Sequence, residues 1–195
     1  MENEIIHLPD AELAYFPNFL NKKEADHLYH HLWNYTGWKQ DTIKLFGKEL
    51  LQPRLSILFG EAGKVYKYSG LRMHPQEFSE ELKMIQTRCE TLFAPVKFNV
   101  CLANLYRDGN HSMGWHADDE KELGVNPVIA SISLGAERIF HLKHTKIKTA
   151  RYKIRLQHGS LLLMKGTTQE FWKHQLPKTR KIDSPRINLT FRKLL

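Results

Sequence analysis

Gly114-Trp115-His116-Ala117-Asp118 carries a His-x-Asp pair. In an extended segment side chains alternate, so His116 and Asp118 point to the same side. One distant histidine would complete a facial triad. Two imidazoles and one carboxylate on one face of an octahedral iron leave three positions open, enough to bind a co-substrate and O2 together. His174, in Phe171-Trp172-Lys173-His174, is the expected third ligand. His158 competes for that position, and His111 is an alternative ligand. With eleven histidines in the chain, His-x-Asp alone also reads as a surface histidine beside a solvated acid, so support must come from elsewhere.

That support lies in Arg186-Ile187-Asn188-Leu189-Thr190-Phe191-Arg192. With a period of two, Ile187, Leu189 and Phe191 share one face, and Arg186, Asn188, Thr190 and Arg192 share the other. If the polar face is turned to solvent, this is an ordinary amphipathic strand. If it points into a barrel, two guanidiniums buried without an anion cost several kcal/mol each, and a dianionic ligand becomes their natural partner. Arginine offers a planar fork that meets a carboxylate bidentately. On 98–106, Phe98, Val100, Leu102, Asn104 and Tyr106 fall on one side, so an amide and a phenol end an apolar row and could hydrogen-bond a carboxylate.

Positioning these groups requires strands, and the chain supplies them after Phe98. Runs rich in branched and aromatic residues occupy 98–106, 129–134, 138–143, 152–157, 160–164, 171–176 and 186–192. Before them, Asn21 with Glu24 caps a helix over about 22–35, and Ser79 caps a second with an apolar stripe of Leu82, Ile85, Cys89, Leu92 and Phe93, closed by Pro95. Early helices and late strands predict an α+β fold in which helices buttress a jelly-roll-like body. The 195 residues carry no repeat or linker, so one domain, 1–195, is expected. Two cysteines are too few for a disulfide framework or thiolate cluster, which points to a reducing compartment. No stretch has the length of a membrane helix, and the start lacks a basic signal-peptide region. The net charge of +8 attracts polyanions.

Taken together, Asn104-x-Tyr106, Gly109, His116-x-Asp118, His174 and Arg186-x-Asn188-x-Thr190-Phe191-Arg192 resemble the signature of the AlkB family over about residues 15–195. The likeness is strongest to its duplex-DNA-repairing members, through Asn104 to Gly109, His116 to Glu120, Ile129 to Ser133, His158 to Leu161 and the final block. The resemblance implies a double-stranded β-helix over about 98–195, with N-terminal helices and a nucleotide-recognition lid over about 15–97. It implies Fe(II) bound by the catalytic His116, Asp118 and His174. It also implies 2-oxoglutarate held by Asn104, Tyr106, Asn188, Thr190, Arg186 at the distal carboxylate and Arg192 nearer the other end. With O2, the implied chemistry is oxidative removal of N-alkyl groups from bases, releasing formaldehyde, succinate and CO2.

A duplex base must be flipped to reach such a site. Leu45-Phe46-Gly47-Lys48, ahead of Gln52-Pro53-Arg54, resembles the aromatic finger of the duplex-acting members; Phe46 would fill the vacated stack, Lys48 would meet phosphate, and Gly47 and Arg54 count among the substrate contacts. Tyr66-Lys67-Tyr68 resembles the lid strand, with Tyr68 and the His116 ring sandwiching the base. Asp119 is the candidate for the exocyclic amine of a cationic lesion. The basic run 143–153 reads as a loop or hairpin on DNA, with Lys178, Arg180 and Lys181 in support. Ala117 replaces a longer polar residue of the family pattern, which bears on contacts to the opposite strand. The expected partner is DNA, double-stranded foremost, bound by a monomer that is cytoplasmic in a bacterium or nuclear in a eukaryote. The alternatives are a demethylase of single-stranded DNA or RNA, a zinc hydrolase using the same triad, and a non-catalytic nucleic-acid-binding module.

Overall fold

A computed structural model describes residues 3–45, 48–68 and 71–195. Helix α1 (Lys22–Trp33) begins where Asn21 accepts from the Glu24 backbone amide while the Glu24 carboxylate accepts from the Asn21 amide, a reciprocal capping box. Helix α2 (Glu80–Leu92) starts at Ser79, whose hydroxyl accepts from the Leu82 amide. Both helices turn apolar residues (Ala25, Leu28 and Leu32; Leu82 and Cys89) into one cluster with a large sheet.

The strands are β1 (Glu4–Ile6), β2 (Glu12–Phe16), β3 (Thr42–Leu45), β4 (Lys48–Leu51), β5 (Leu55–Gly60), β6 (Tyr66–Tyr68), β7 (Leu71–Met73), β8 (Val100–Tyr106), β9 (Met113–His116), β10 (Ile129–Gly135), β11 (Arg138–His144), β12 (Arg151–Leu156), β13 (Ser160–Lys165), β14 (Trp172–Leu176) and β15 (Arg186–Arg192). Seven form the large antiparallel sheet in the order β1-β2-β13-β10-β15-β8-β5, and four form a smaller antiparallel sheet, β12-β11-β14-β9. β3 pairs with β4 and β6 with β7 as separate hairpins. A second apolar cluster, including Leu102, Ile129 and Leu162 from the large sheet and Leu142, Ile154 and Trp172 from the small one, fills the space between the sheets. The layers are therefore helices, large sheet, small sheet, consistent with a jelly roll.

Two details differ from the sequence reading. Strands do not all come late: β1 and β2, at the start of the chain, and β5, from the segment expected to supply helices and lid, enter the large sheet. β5 is buried along almost its whole length, so it shows none of the alternation that marks a half-buried strand. Phe98 does not continue the row of Val100 and Leu102, because β8 begins only at Val100; Phe98 packs instead in the cluster shared with the helices.

β15 has the predicted alternation. Ile187, Leu189 and Phe191 lie in the helix-facing cluster, while Arg186, Asn188, Thr190 and Arg192 line a cavity between the sheets. β8 does the same beside it, with Asn104 opposite Asn188 and Tyr106 opposite Arg186.

Candidate active site

The cavity between the sheets is small, about 40 Å³. On its small-sheet side, His116 ends β9 and His174 sits mid-β14, directly paired across the ladder. Their Nε2 atoms are 3.1 Å apart. His116 Nδ1 lies 2.8 Å from the Gly114 carbonyl, which assigns the ring proton to Nδ1 and leaves the Nε2 lone pair facing His174. Asp118 follows two residues on, with Oδ1 4.0 Å from His116 Nε2. Its backbone amide donates to the buried Gln169 Oε1 at 2.9 Å. One ligand atom from each of the three residues falls within 4.8 Å of the others.

The electrostatics fit a cation. Burial, and then His116, push His174 down to about 3, and burial also lowers His116, so both imidazoles stay neutral near neutral pH, the form that ligates metal. Burial disfavours an ionised Asp118, but Arg192, His174 and His116 outweigh it and hold the carboxyl down at about 2. Asp118 Oδ2 accepts from Arg192 Nη2 at 2.8 Å, whereas Oδ1 is buried without a hydrogen-bond partner. An orphaned carboxylate oxygen facing two neutral imidazoles is a donor set for a metal ion. Two nitrogens on adjacent corners of an octahedral ion at roughly 2.1 Å stand about 3 Å apart, which agrees with the two histidines.

The large-sheet side is polar and cationic. Arg186 and Arg192 are 2% and 3% exposed, so neither is a solvated arginine of an amphipathic strand. Arg186 Nη2 donates to Ser133 Oγ at 2.8 Å, and its guanidinium stands 5.4 Å from the Tyr106 ring centroid. Its Nε is buried without a hydrogen-bond partner. Burial lowers Arg186 to about 10, still cationic at neutral pH. Asn188 donates to Ser131 Oγ and to the Ile132 carbonyl, both at 2.9 Å, and accepts from Thr190 at 3.2 Å. These contacts orient the polar row toward the cavity.

The other expected site residues are placed unevenly. His158 is engaged elsewhere, accepting from the Gly135 amide and meeting Asp26 at 3.1 Å. His111 Nδ1 accepts from the Arg107 amide. Neither belongs to the triad. Arg54, expected among the DNA contacts, is 3% exposed and donates to Asn104 Oδ1 at 2.8 Å, because Gln52-Pro53-Arg54 turns the chain inward into β5. Tyr66 is buried with its ring 5.7 Å from the Arg192 guanidinium. Phe46 and Gly47 lie outside the described residues, as do the side chains of Lys48, Lys67 and Tyr68. The basic run forms the end of β11, a turn and β12, with Lys143 4.3 Å over the Trp115 ring.

Asp119 is exposed, and the neighbouring Glu120 is the carboxylate that turns inward. Burial raises Glu120 and the Asp118 charge raises it further, while Arg192 and a side-chain hydrogen bond with Tyr66 oppose them. Alternation from His116 and Asp118 places Glu120 on their side and Asp119 on the other. Gln169, Ser131 and Ser133, like Glu120, are absent from the sequence reading; the serines are recognisable only from the register that sets them opposite Thr190 and Asn188.

Two antiparallel sheets enclosing a His-Asp-His set opposite buried arginines define a non-haem metal site of the facial type. The chain belongs to the 2OG-Fe(II) oxygenase superfamily, whose model matches residues 12–192, and this family implies Fe(II), 2-oxoglutarate and O2. It is 40% identical over 187 residues to the alpha-ketoglutarate-dependent dioxygenase alkB homolog 3 of Bos taurus, covering 90% of this chain and 64% of that protein. It is 37% identical over 185 residues to the DNA oxidative demethylase ALKBH2 of Homo sapiens, covering 89% and 70%. The chain thus spans just under two thirds of the length of the bovine relative. A solved structure of OsALKBH1 shares the fold, with a TM-score of 0.66 at 15% identity over 98% of this chain and all of that one.

Proposed function

We propose that the protein is an oxidative demethylase of DNA, acting on N-alkylated bases of the 1-methyladenine and 3-methylcytosine type, with duplex DNA as its main substrate. The observation that carries this reading is the buried Asp118 Oδ1, orphaned between two neutral histidines and facing a cationic strand. Likeness to a protein named DNA oxidative demethylase supports the substrate.

His116, Asp118 and His174 hold Fe(II) in this reading, and Arg186 with Tyr106 holds the far carboxylate of 2-oxoglutarate, while Asn104, Asn188, Thr190 and Arg192 line its course. Iron, 2-oxoglutarate and O2 together supply oxidation of the N-methyl carbon, which leaves as formaldehyde beside succinate and CO2. No side chain acts as nucleophile. The protein contributes ligation, orientation and a cavity with an apolar wall of Phe140, Met164 and Leu176. Arg192 keeps Asp118 ionised, and the His116 bond to Gly114 fixes the imidazole tautomer.

The β3–β4 and β6–β7 hairpins serve as the nucleotide-recognition lid, with Phe46 as wedge, Lys48 and Lys67 on phosphate, and Tyr68 over the flipped base. The buried Tyr66 beside Arg192 supports a lid seated at the cavity. Glu120 takes the exocyclic amine in place of Asp119, and the β11–β12 hairpin adds phosphate contacts.

Anaerobic reconstitution with Fe(II), followed by O2, 2-oxoglutarate and matched single- and double-stranded oligonucleotides carrying 1-methyladenine, tests this. Succinate and repaired duplex, with duplex repair weakened by Phe46→Ala, are expected. Faster repair of single strands, indifferent to Phe46, would overturn the duplex assignment; succinate without repair would overturn the nucleic-acid substrate.

A further inference from the structure

Arg138 opens β11 and is 2% exposed, one of the largest fully buried side chains. Its guanidinium meets no carboxylate at ion-pair distance among the described residues. It donates instead to three main-chain carbonyls: Asp108 at 3.2 Å, His111 at 3.1 Å and Pro177 at 2.7 Å. Those carbonyls belong to two segments. One follows β8 directly after Tyr106, and the other runs from the end of β14 to Arg186.

The same two segments are also bonded to each other. The Gly109 amide donates to the Ile182 carbonyl, and the Thr179 amide donates to the Gly109 carbonyl, both at 2.8 Å. They approach so closely that a Cβ on Gly109 would collide with the Thr179 and Ile182 carbonyls, which is why glycine stands there. Arg138 and this contact together lock the chain on both sides of the Tyr106–Arg186 pair, whose members face each other in the ladder. Arg138 also brings charge. It acts on Arg186 through space, so a second buried cation stands behind the one that lines this end of the cavity.

We propose that Arg138 is a positioning residue for the distal-carboxylate end of the co-substrate site, holding Tyr106 and Arg186 in register and adding a second buried positive charge that favours a dicarboxylate. This rests on the 2-oxoglutarate reading of the cavity. Arg138 itself touches no co-substrate. Its effect is confined to the carboxylate that Arg186 meets, and it leaves the triad alone.

Calorimetric titration of the Mn(II)-loaded chain with 2-oxoglutarate and with 2-oxopentanoate, which lacks the distal carboxylate, tests this without turnover. Arg138→Met is expected to weaken 2-oxoglutarate by about 10- to 100-fold, the usual cost of losing a supporting contact behind a ligand site. It should change 2-oxopentanoate and Mn(II) affinity by less than about threefold. Arg138→Lys keeps the charge but not the three-way fork and should recover part of the loss; it also carries the test if Arg138→Met does not fold. Equal weakening of both oxo acids, or no weakening, would overturn the proposal while sparing the co-substrate reading. Failure of the unsubstituted chain to bind 2-oxoglutarate would overturn both.

Discussion

Arg186 and Arg192 leave the same face of the same strand and are almost equally buried, yet they keep different company. Arg192 is matched to Asp118 through two donors, at 2.8 and 3.3 Å. Arg186 has a serine hydroxyl and a tyrosine ring, with Arg138 as a second cation nearby. Six residues of extended chain, about 20 Å, separate them. One end of the cavity is electrostatically closed by a protein carboxylate that also serves the triad. The other is left positive, and a buried guanidinium that lines a cavity with an unpartnered donor and no protein anion favours an anionic ligand there. The strand motif therefore assigns two jobs to two chemically identical side chains, and only their surroundings tell which is which.

The strongest way to separate the ends is to remove the triad. His174→Ala is expected to abolish metal binding and turnover while duplex binding, driven by phosphate contacts, stays within about threefold. Metal affinity and a filter-binding assay read the two quantities. Equal loss of both would break the division between chemistry and grip. Arg192→Leu comes next. It strands an ionised Asp118 in a buried site, and breaking such a pair costs about 3–5 kcal/mol. The metal-free protein should lose that much in urea unfolding, and bound Mn(II) should restore a large part. Arg186→Gln is milder for the fold, because no carboxylate is left behind. Its cost falls on the ligand: about 10- to 150-fold weaker 2-oxoglutarate binding with Mn(II) affinity unchanged. If Arg192→Leu and Arg186→Gln gave the same pattern, the contrast between the two arginines would collapse.

The period of two made the β15 motif legible, since polar and apolar residues separate cleanly onto two faces. The capping residues Asn21 and Ser79 mark the starts of α1 and α2. What the sequence concealed follows a physical rule. β5 has no alternation to read because it is buried on both sides. Arg138 resembles any charged residue at a strand start, and its burial depends on carbonyls 30 and 39 positions away in the chain. Arg54 similarly reads as a surface cation until β5 carries it beside Asn104, 50 positions on. Local pattern fixes which face a side chain takes. Whether that face is wet depends on segments that are distant in sequence.

The smallest expected effect concerns acid. His174 is held far below its ordinary value by burial and by His116, so it is neutral in the folded chain while an unfolded chain protonates it below about pH 6.5. In that range the unfolded state binds more protons, so acidification favours unfolding, and the loss accumulates from about pH 6.5 down to about 3. Asp118 acts later. Its depressed value, about 2, keeps its contribution intact above the ordinary carboxylate range, and the contribution is lost as pH falls from that range through about 2. Between pH 6.5 and 4, therefore, the histidine titrates and the Asp118–Arg192 pair does not. Thermal melting of the metal-free chain at pH 7 and pH 4.5 should show a fall that is a few degrees smaller in His174→Gln than in the unsubstituted protein. Mn(II), which competes with protons for the same nitrogen, should flatten the difference. An identical acid slope in the two metal-free proteins would mean that His174 is not buried neutral, and the metal end would then resemble the ligand end in awaiting a charge.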